Sequence, residues 1–236
     1  MLSDVHAIAF DLDNTLWDVE PVLERAEERL AAWLRQHCPR ITLSRAEMRA
    51  AREQLARREP HNAHDVSYLR ISTLAAHARE YGYDEGIAAE AFEVFLAARN
   101  EVQIFPDVAP ALARLRRRYA LASLSNGNAD LARIGLGHVF AVSLNARQIG
   151  AAKPQRRCFE RLAQELLLPA AEIAYVGDDP QLDVAAARAA GLRTVWMNRR
   201  AHPWPRELPF PDMTVSDCAQ LAAVLCRDPP QDIRSV

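Results

Sequence analysis

Residues 5–17 read VHAIAFDLDNTLW, and the prediction of the fold begins with this segment. Its first six residues are apolar except for His6, and the run stops abruptly at Asp11 and Asp13. A short apolar run that ends in acidic residues is typical of a buried strand whose carboxyl end opens onto a loop. The pattern therefore predicts a first β-strand over residues 5–10.

The next eighty residues have helical spacing and contain no predicted strand. Val22, Ala26 and Leu30 recur on one face of a first helix. Ser44 and Glu47 form the pattern of a capping box, which predicts the start of a second helix. The four predicted helices begin near residues 20, 44, 65 and 84.

Strands and helices alternate in the rest of the chain. Strands are predicted over residues 119–124, 140–144, 173–176 and 194–197, with helices over 107–118, 155–167 and 183–190. This alternation predicts an α/β protein with a Rossmann-like, doubly wound parallel sheet as its core and an inserted helical cap domain. The predicted core spans residues 1–18 and 103–236, and the predicted cap spans 19–102. Residues 202–211 are predicted to be an irregular surface connection, and residues from 228 onward a frayed tail.

Composition restricts the classes of partner. Of 236 residues, 29 are Lys or Arg and 31 are Asp or Glu, and the resulting formal charge of −2 disfavours nucleic acid and anionic lipid surfaces. The sequence contains no run of eighteen apolar residues, so no membrane span is predicted. Four widely separated cysteines indicate neither a zinc site nor a disulfide framework. We expect a cytoplasmic protein, monomeric or a small homo-oligomer, without a nucleic-acid or membrane partner.

Reactive side chains follow four of the predicted strands. An acidic pair after one strand also fits a turn or a helix cap, but all four groups together are harder to explain in this way. Parallel strands end at one edge of a sheet, so we expect these groups to converge. The groups are Asp11 with Asp13, Ser125 with Asn126, Lys153, and Asp178 with Asp179 and Asp183.

Converging carboxylates repel one another by roughly 4 kcal/mol per pair at contact distance, so a cation is expected among them. Oxygen ligands favour Mg²⁺ over Zn²⁺. A small phosphate ester accounts for the other groups, because Ser125 and Lys153 can bind phosphoryl oxygens. Asp11 is then the nucleophile, and Asp13 the acid that protonates the leaving alkoxide and later the base that activates water.

Four motifs resemble the signatures of the haloacid dehalogenase-like hydrolase superfamily, in the subclass with a helical cap after the first strand. They are FDLDNTL at residues 10–16, Ser125-Asn126, Lys153-Pro154 and GDDPQLD at 177–183. The resemblance implies Mg²⁺ ligands from Asp11, the Asp13 backbone carbonyl and Asp178. It implies that Ser125, Asn126 and Lys153 bind phosphate and that Asp183 supports Lys153. Asp179 has two interpretations, contact with the metal through water or a cap role.

Shorter stretches resemble members of that superfamily that hydrolyse flavin mononucleotide and the phosphorylated ribitylaminouracil precursor of riboflavin. They are residues 18–22, 59–66 and 125–129. This resemblance implies substrate contacts in or near the cap, although packing under the cap is the more frequent role of a tryptophan. The candidate contacts are Trp17, His64, Asp65, Tyr68 and Arg70, and a solvated helix start near Asp65 explains the last four nearly as well.

Other functions stay open at this point. A phosphosugar or nucleotide phosphatase would have the same core residues, and a phosphomutase would have the same first step. A haloacid dehalogenase would use the Asp11 nucleophile but would leave an acid at position 13 without a role. A non-enzymatic receiver-like module would be about half as long and would lack the helical insertion.

Overall fold

A computed structural model describes residue 2 and residues 4–226 of the chain, and in this part the strands form one parallel sheet. The strands are β1 (Ala7–Phe10), β2 (Ala120–Ser125), β3 (Val142–Asn145), β4 (Ile173–Gly177), β5 (Arg193–Met197) and β6 (Met213–Val215). Their order in the sheet is β3-β2-β1-β4-β5-β6, and every neighbouring pair is parallel. The predicted α/β class with a doubly wound parallel sheet is confirmed.

Helices cover both faces of this sheet. They are α1 (Glu20–His37), α2 (Arg45–Arg58), α3 (Val66–Glu80), α4 (Ile87–Arg99), α5 (Val108–Leu115), α6 (Leu131–Ile134), α7 (Ala146–Ile149), α8 (Arg156–Leu166), α9 (Ala186–Ala189) and α10 (Cys218–Leu225). Ile8 and Phe10 of β1 lie in one apolar cluster with α5 and α10, while Ala7 and Ala9 lie in a second cluster with α8. Burial on both faces explains why β1 is a continuous apolar run. No helix among the described residues is both long and apolar enough to cross a bilayer.

The helices α1 to α4 form the cap that interrupts the core between β1 and β2. Leu30, Leu74 and Phe92 belong to an apolar cluster of the cap, separate from the two clusters that flank the sheet. Ser44 and Glu47 make the reciprocal hydrogen bonds of the predicted capping box at the start of α2. The helical insertion predicted from sequence is therefore confirmed.

The two chain segments that join cap and core run side by side. Trp17 forms an antiparallel bridge with Ile104. The backbone N–H of Phe105 donates to the carbonyl oxygen of Leu16 at 3.0 Å. Because both connections pass through this neck, we propose the domain limits expected from the sequence, 1–18 with 103–236 for the core and 19–102 for the cap.

The structure differs from the sequence-based expectation at the carboxyl-terminal end of the sheet. The strand β6 and the helix α10 were not predicted. A π-helix over Pro180–Ala185 precedes α9, where an ordinary helix was predicted to begin at Asp183. The predicted frayed tail, from residue 228 onward, lies outside the described residues.

Candidate active site

A buried lysine connects three of the predicted groups. The Lys153 Nζ lies 2.6 Å from Asp11 Oδ1 and 2.6 Å from Asp183 Oδ1. It also lies 3.0 Å from the hydroxyl of Tyr175 on β4. Lys153 and Asp11 are only 5% and 7% exposed. The ammonium thus bridges the carboxyl end of β1 and the segment that follows β4, as the resemblance implied for Asp183.

The predicted phosphate residue Asn126 holds the backbone of this lysine. Its Oδ1 accepts from the Lys153 N–H at 2.7 Å, and its Nδ2 donates to the Lys153 carbonyl at 3.0 Å. The peptide bond between Lys153 and Pro154 is cis. Because both ends of the Asn126 amide bond to the Lys153 backbone, this side chain positions Lys153.

Opposing influences act on the charges in this centre. Burial raises the pKa of Asp11, and although the Lys153 ammonium lowers it, the net pKa is well above its usual value. Burial alone would lower the pKa of Lys153, but Asp11 and Asp183 outweigh it and raise that pKa. Lys153 is therefore protonated, and the site needs further positive charge to keep every carboxylate ionised.

Three carboxylates could hold a metal ion. Oxygen atoms of Asp11, Asp178 and Asp183 all lie within 4.8 Å of one another. Burial, and to a smaller extent the neighbouring Asp183 and Asp179, raise the pKa of Asp178 to about 7. The donor set consists of oxygen atoms, as a hard divalent cation such as Mg²⁺ prefers. The residues present therefore fit the predicted magnesium ion.

Asp183 and Asp179 have structural partners of their own. Asp183 accepts from Lys153 with Oδ1 and from the Asp179 backbone N–H with Oδ2, at 3.1 Å. Asp179 Oδ1 accepts from the backbone N–H groups of Gln181 and Leu182, both at 2.8 Å. Asp179 thus caps the π-helix, which is one of its two sequence interpretations, and Asp183 supports the lysine.

Gly177 gives a first test of this packing. A methyl group built there would lie 2.3 Å from Asp183 Oδ2, closer than real Cβ contacts allow. Gly177→Ala is therefore expected to displace Asp183 and to destabilise the fold by about 2 kcal/mol or more. Denaturant unfolding measures the loss. Gly86→Ala is the control, because the nearest atom there belongs to the exposed side chain of Asp84; an equal loss in both variants would contradict the expectation.

The second acidic residue of the first motif lies on the cap side of the site. Both oxygens of Asp13 accept from Arg99 Nη2 at 2.7 Å, and Asp13 Oδ1 accepts from Trp17 Nε1 at 2.8 Å. Arg99 is in the last turn of α4 and is 1% exposed. Sequence reasoning missed Arg99, because no motif marks a single arginine at the end of a cap helix. These contacts orient the Asp13 carboxylate.

Ser125 lies near that carboxylate. A Cβ built on Gly127 would be 2.9 Å from Asp13 Oδ2 and 3.4 Å from Ser125 Oγ, so one small space adjoins both side chains. Ser125 Oγ accepts from the Gly127 N–H at 3.0 Å, which leaves its hydroxyl proton to donate elsewhere. The structure thus brings the candidate acid and a candidate phosphate ligand together.

The five predicted substrate contacts are not gathered in one place. Trp17 is fully buried, so it has no exposed face for stacking and instead packs at the neck. His64 and Asp65 line a cavity of about 470 Å³ that also reaches Ser125 and Asn126. Tyr68 donates from its hydroxyl to Glu59 at 2.7 Å. Arg70 lines a different cavity, on the side of Asp13.

Comparison with known proteins agrees with this geometry. Residues 5–191 match the haloacid dehalogenase-like hydrolase family, which is more than half of the chain. The chain belongs to the haloacid dehalogenase-like hydrolases. The family that the four motifs and the helical cap resembled is therefore confirmed.

Relatives within the haloacid dehalogenase-like hydrolases differ in their reactions. A 5-amino-6-(5-phospho-D-ribitylamino)uracil phosphatase of Escherichia coli is 27% identical over 95% of this chain and 98% of its own length. A phosphoserine phosphatase of Thermus thermophilus is 33% identical over 91% of this chain and 96% of its own. A solved structure of a 2-haloacid dehalogenase from Pseudomonas syringae pv. Tomato is 35% identical, covers 94% of this chain and 98% of its own, and superposes with a TM-score of 0.90.

Proposed function

We propose that this hydrolase is a magnesium-dependent phosphatase that cleaves small phosphate monoesters through a phosphoaspartate on Asp11. One observation carries the proposal: a carboxylate at position 13 is oriented by Arg99 and Trp17 next to the space that adjoins Ser125. A carboxyl group placed there can protonate the oxygen of a leaving alcohol, and this proton is needed for an ester. A halide leaves as a stable anion and needs no such acid.

The proposed reaction uses the residues in two steps. In the first, an Asp11 oxygen attacks phosphorus, the ester P–O bond breaks, and Asp13 gives its proton to the departing alkoxide. In the second, Asp13 takes a proton from water as the water attacks the phosphoaspartate and restores the Asp11 carboxylate. Ser125 donates to a phosphoryl oxygen, and the Lys153 ammonium, which donates to Asp11, Asp183 and Tyr175, supplies positive charge beside the phosphoryl group. Magnesium held by Asp11, Asp178 and the Asp13 carbonyl would supply charge that offsets the phosphate and the carboxylates.

Hydrolysis of p-nitrophenyl phosphate tests the proposal. We expect nitrophenolate release with Mg²⁺, complete loss after EDTA treatment, and recovery when Mg²⁺ is returned in excess. The physical reason is the carboxylate cluster, which is short of positive charge without a cation. Undiminished turnover in metal-free buffer would contradict the proposal.

A second candidate is suggested by the likeness to the 2-haloacid dehalogenase structure. The same preparation can be assayed for bromide release from 2-bromopropanoate. Bromide release without phosphate release from any ester would favour the dehalogenase.

For the substrate, the cellular location and the oligomeric state, we propose what the sequence led us to expect. Flavin mononucleotide and the phosphorylated ribitylaminouracil are the first substrates to assay, since phosphatase relatives include one named for the latter. Phosphosugars and nucleotides form the rest of the screen, and transfer to a second hydroxyl would reveal a mutase. A cytoplasmic location and a monomeric or small homo-oligomeric state belong to the same proposal.

A further inference from the structure

A second cavity lies between cap and core, directly next to the candidate acid. Its volume is about 360 Å³, within the range of small-ligand sites. Asp13 and Gly127 line its core side, and α2, α3 and α4 line its cap side. A group that fills it would therefore belong to the part of a substrate that extends away from the phosphate.

Arginines dominate the charge of this cavity. Its lining includes Arg49, Arg52, Arg70 and Arg99, with Asp13 and Glu53 as the acidic residues. Arg99 is paired with Asp13, and Arg49 lies 4.0 Å from the exposed Glu53. These two arginines therefore have carboxylate partners within the cavity lining.

The remaining two arginines share a single acceptor atom. Arg52 Nη2 lies 3.2 Å from Glu27 Oε1, and Arg70 Nη2 lies 2.8 Å from that same oxygen. A guanidinium has five N–H donors. One carboxylate oxygen cannot satisfy two such groups, so donors and positive charge are in excess.

Arg70 is rigidly placed and incompletely bonded. Its Cζ lies 3.5 Å from the centroid of the Phe95 ring. The residue is 8% exposed, and its buried Nη1 has no hydrogen-bond partner among the described residues. Leaving a buried charged donor unpaired is costly, and Arg99 Nη1 in the same cavity lining is also without a partner among the described residues, so this side of the cavity has more donors than acceptors. Burial and the adjacent Arg70 lower the pKa of Arg52 only to about 10, so Arg52 also stays charged at neutral pH.

We propose that Arg52 and Arg70 bind a group with two oxygen acceptors at the end of the substrate remote from the phosphate. A carboxylate and the paired carbonyls of a pyrimidinedione ring both have this chemistry. Glu27 holds the two guanidinium groups in place, and Phe95 supports Arg70 through its ring face. This inference rests on the proposed phosphatase function, and it narrows the substrates to esters with such a distal group.

A set of matched esters distinguishes a carboxylate acceptor from the paired carbonyls of a ring. The compounds are 4-phosphonooxybutanoate and butyl phosphate, which differ by a terminal carboxylate or methyl group, together with flavin mononucleotide for the ring carbonyls. The measurement is kcat/KM for each ester relative to butyl phosphate, in the wild type and in Arg52→Gln, Arg52→Lys and Arg58→Gln. Arg58 is the matched control, since it is exposed in the last turn of the same helix α2.

Arg52→Gln is expected to lower the relative kcat/KM of at least one acceptor ester about tenfold or more, because a charged hydrogen bond is lost. Arg52→Lys should restore part of the lost relative kcat/KM, and Arg58→Gln should leave the kcat/KM ratios unchanged. The affected ester identifies the acceptor as a carboxylate or a dicarbonyl ring. Ratios that stay constant in Arg52→Gln, with phosphate still released, would overturn this inference alone.

Binding provides a readout that does not need turnover. In an Asp11→Asn background, calorimetric titration should show tighter binding of an acceptor ester than of butyl phosphate, and Arg52→Gln should remove the difference. Equal affinities for the two esters would overturn the inference. A wild-type protein that releases no phosphate from any ester would instead overturn the proposed function, and the titration would still decide whether the arginines bind the acceptor group.

Discussion

Asp11→Asn is expected to abolish phosphate release, with kcat lowered by about 10³-fold or more, as for other removed nucleophiles. The amide oxygen is too weak a nucleophile to form the phosphoaspartate. The fold should survive, because the Asn oxygen can still accept from Lys153, whose Nζ lies 2.6 Å from Asp11 Oδ1. Removing one negative charge also relieves the repulsion from Asp183 and Asp178.

Two measurements made together test this expectation. Phosphate release from p-nitrophenyl phosphate reports turnover, and thermal unfolding reports the fold. Asp4→Asn is the control, since Asp4 is an exposed acid in the same N-terminal segment. Wild-type turnover in a folded Asp11→Asn variant would remove Asp11 from the mechanism. Vanadate, which mimics the phosphoryl group, should inhibit the wild type competitively.

The core of the site was predictable because it depends on local signals. Apolar runs locate β1, β2 and β4, and parallel strands end at one edge of the sheet, so Asp11, Ser125 and Asp178 had to be neighbours. Lys153 lies in a loop, and it was included in the predicted site because it follows a predicted strand and forms the Lys153-Pro154 motif. The positions of Asp11, Ser125 and Asp178 follow from the strand order and need no knowledge of the cap.

The unpredicted features depend on longer-range packing. Arg99 contacts Asp13 across 86 positions of sequence, and only the docking of α4 on the core creates that pair. Tyr175 has the pattern of an ordinary apolar strand residue, although its hydroxyl contacts Lys153. The strand β6 has three residues, which is too short for any periodicity to be recognised.

The cap residues show the same limitation most clearly. Trp17, Tyr68 and Arg70 were grouped by a resemblance in sequence, but Trp17 precedes the cap helices, and Tyr68 and Arg70, two residues apart on α3, project from nearly opposite sides of that helix. Trp17 turns into the neck, Tyr68 turns toward Glu59, and Arg70 turns toward Phe95. The divergence of Tyr68 and Arg70 follows from helical periodicity, whereas the partners that each face of α3 contacts depend on how the cap helices dock, which periodicity does not predict.

Asp13→Asn is expected to lower kcat by about 10² to 10⁴-fold on alkyl phosphates, because the leaving alkoxide loses its proton donor. The first step should be much less affected with p-nitrophenyl phosphate, since nitrophenolate is a stable leaving group. The second step still needs a base to activate water. A burst of nitrophenolate equal to the enzyme concentration, followed by slow release, should therefore appear in rapid mixing.

The burst distinguishes a catalytic role of Asp13 from a structural one. Asp13 is the partner of the buried Arg99, so its replacement also perturbs the fold, and thermal unfolding of the variant must be measured beside the kinetics. Asparagine keeps an oxygen that can accept from Arg99 and Trp17, which limits that loss. General destabilisation lowers the burst amplitude and the steady rate together, whereas loss of the acid and base preserves the amplitude and slows only the steady release. Equal rate losses on butyl and p-nitrophenyl phosphate, without a burst, would show that Asp13 transfers no proton and would remove the main reason for preferring phosphate esters over haloacids.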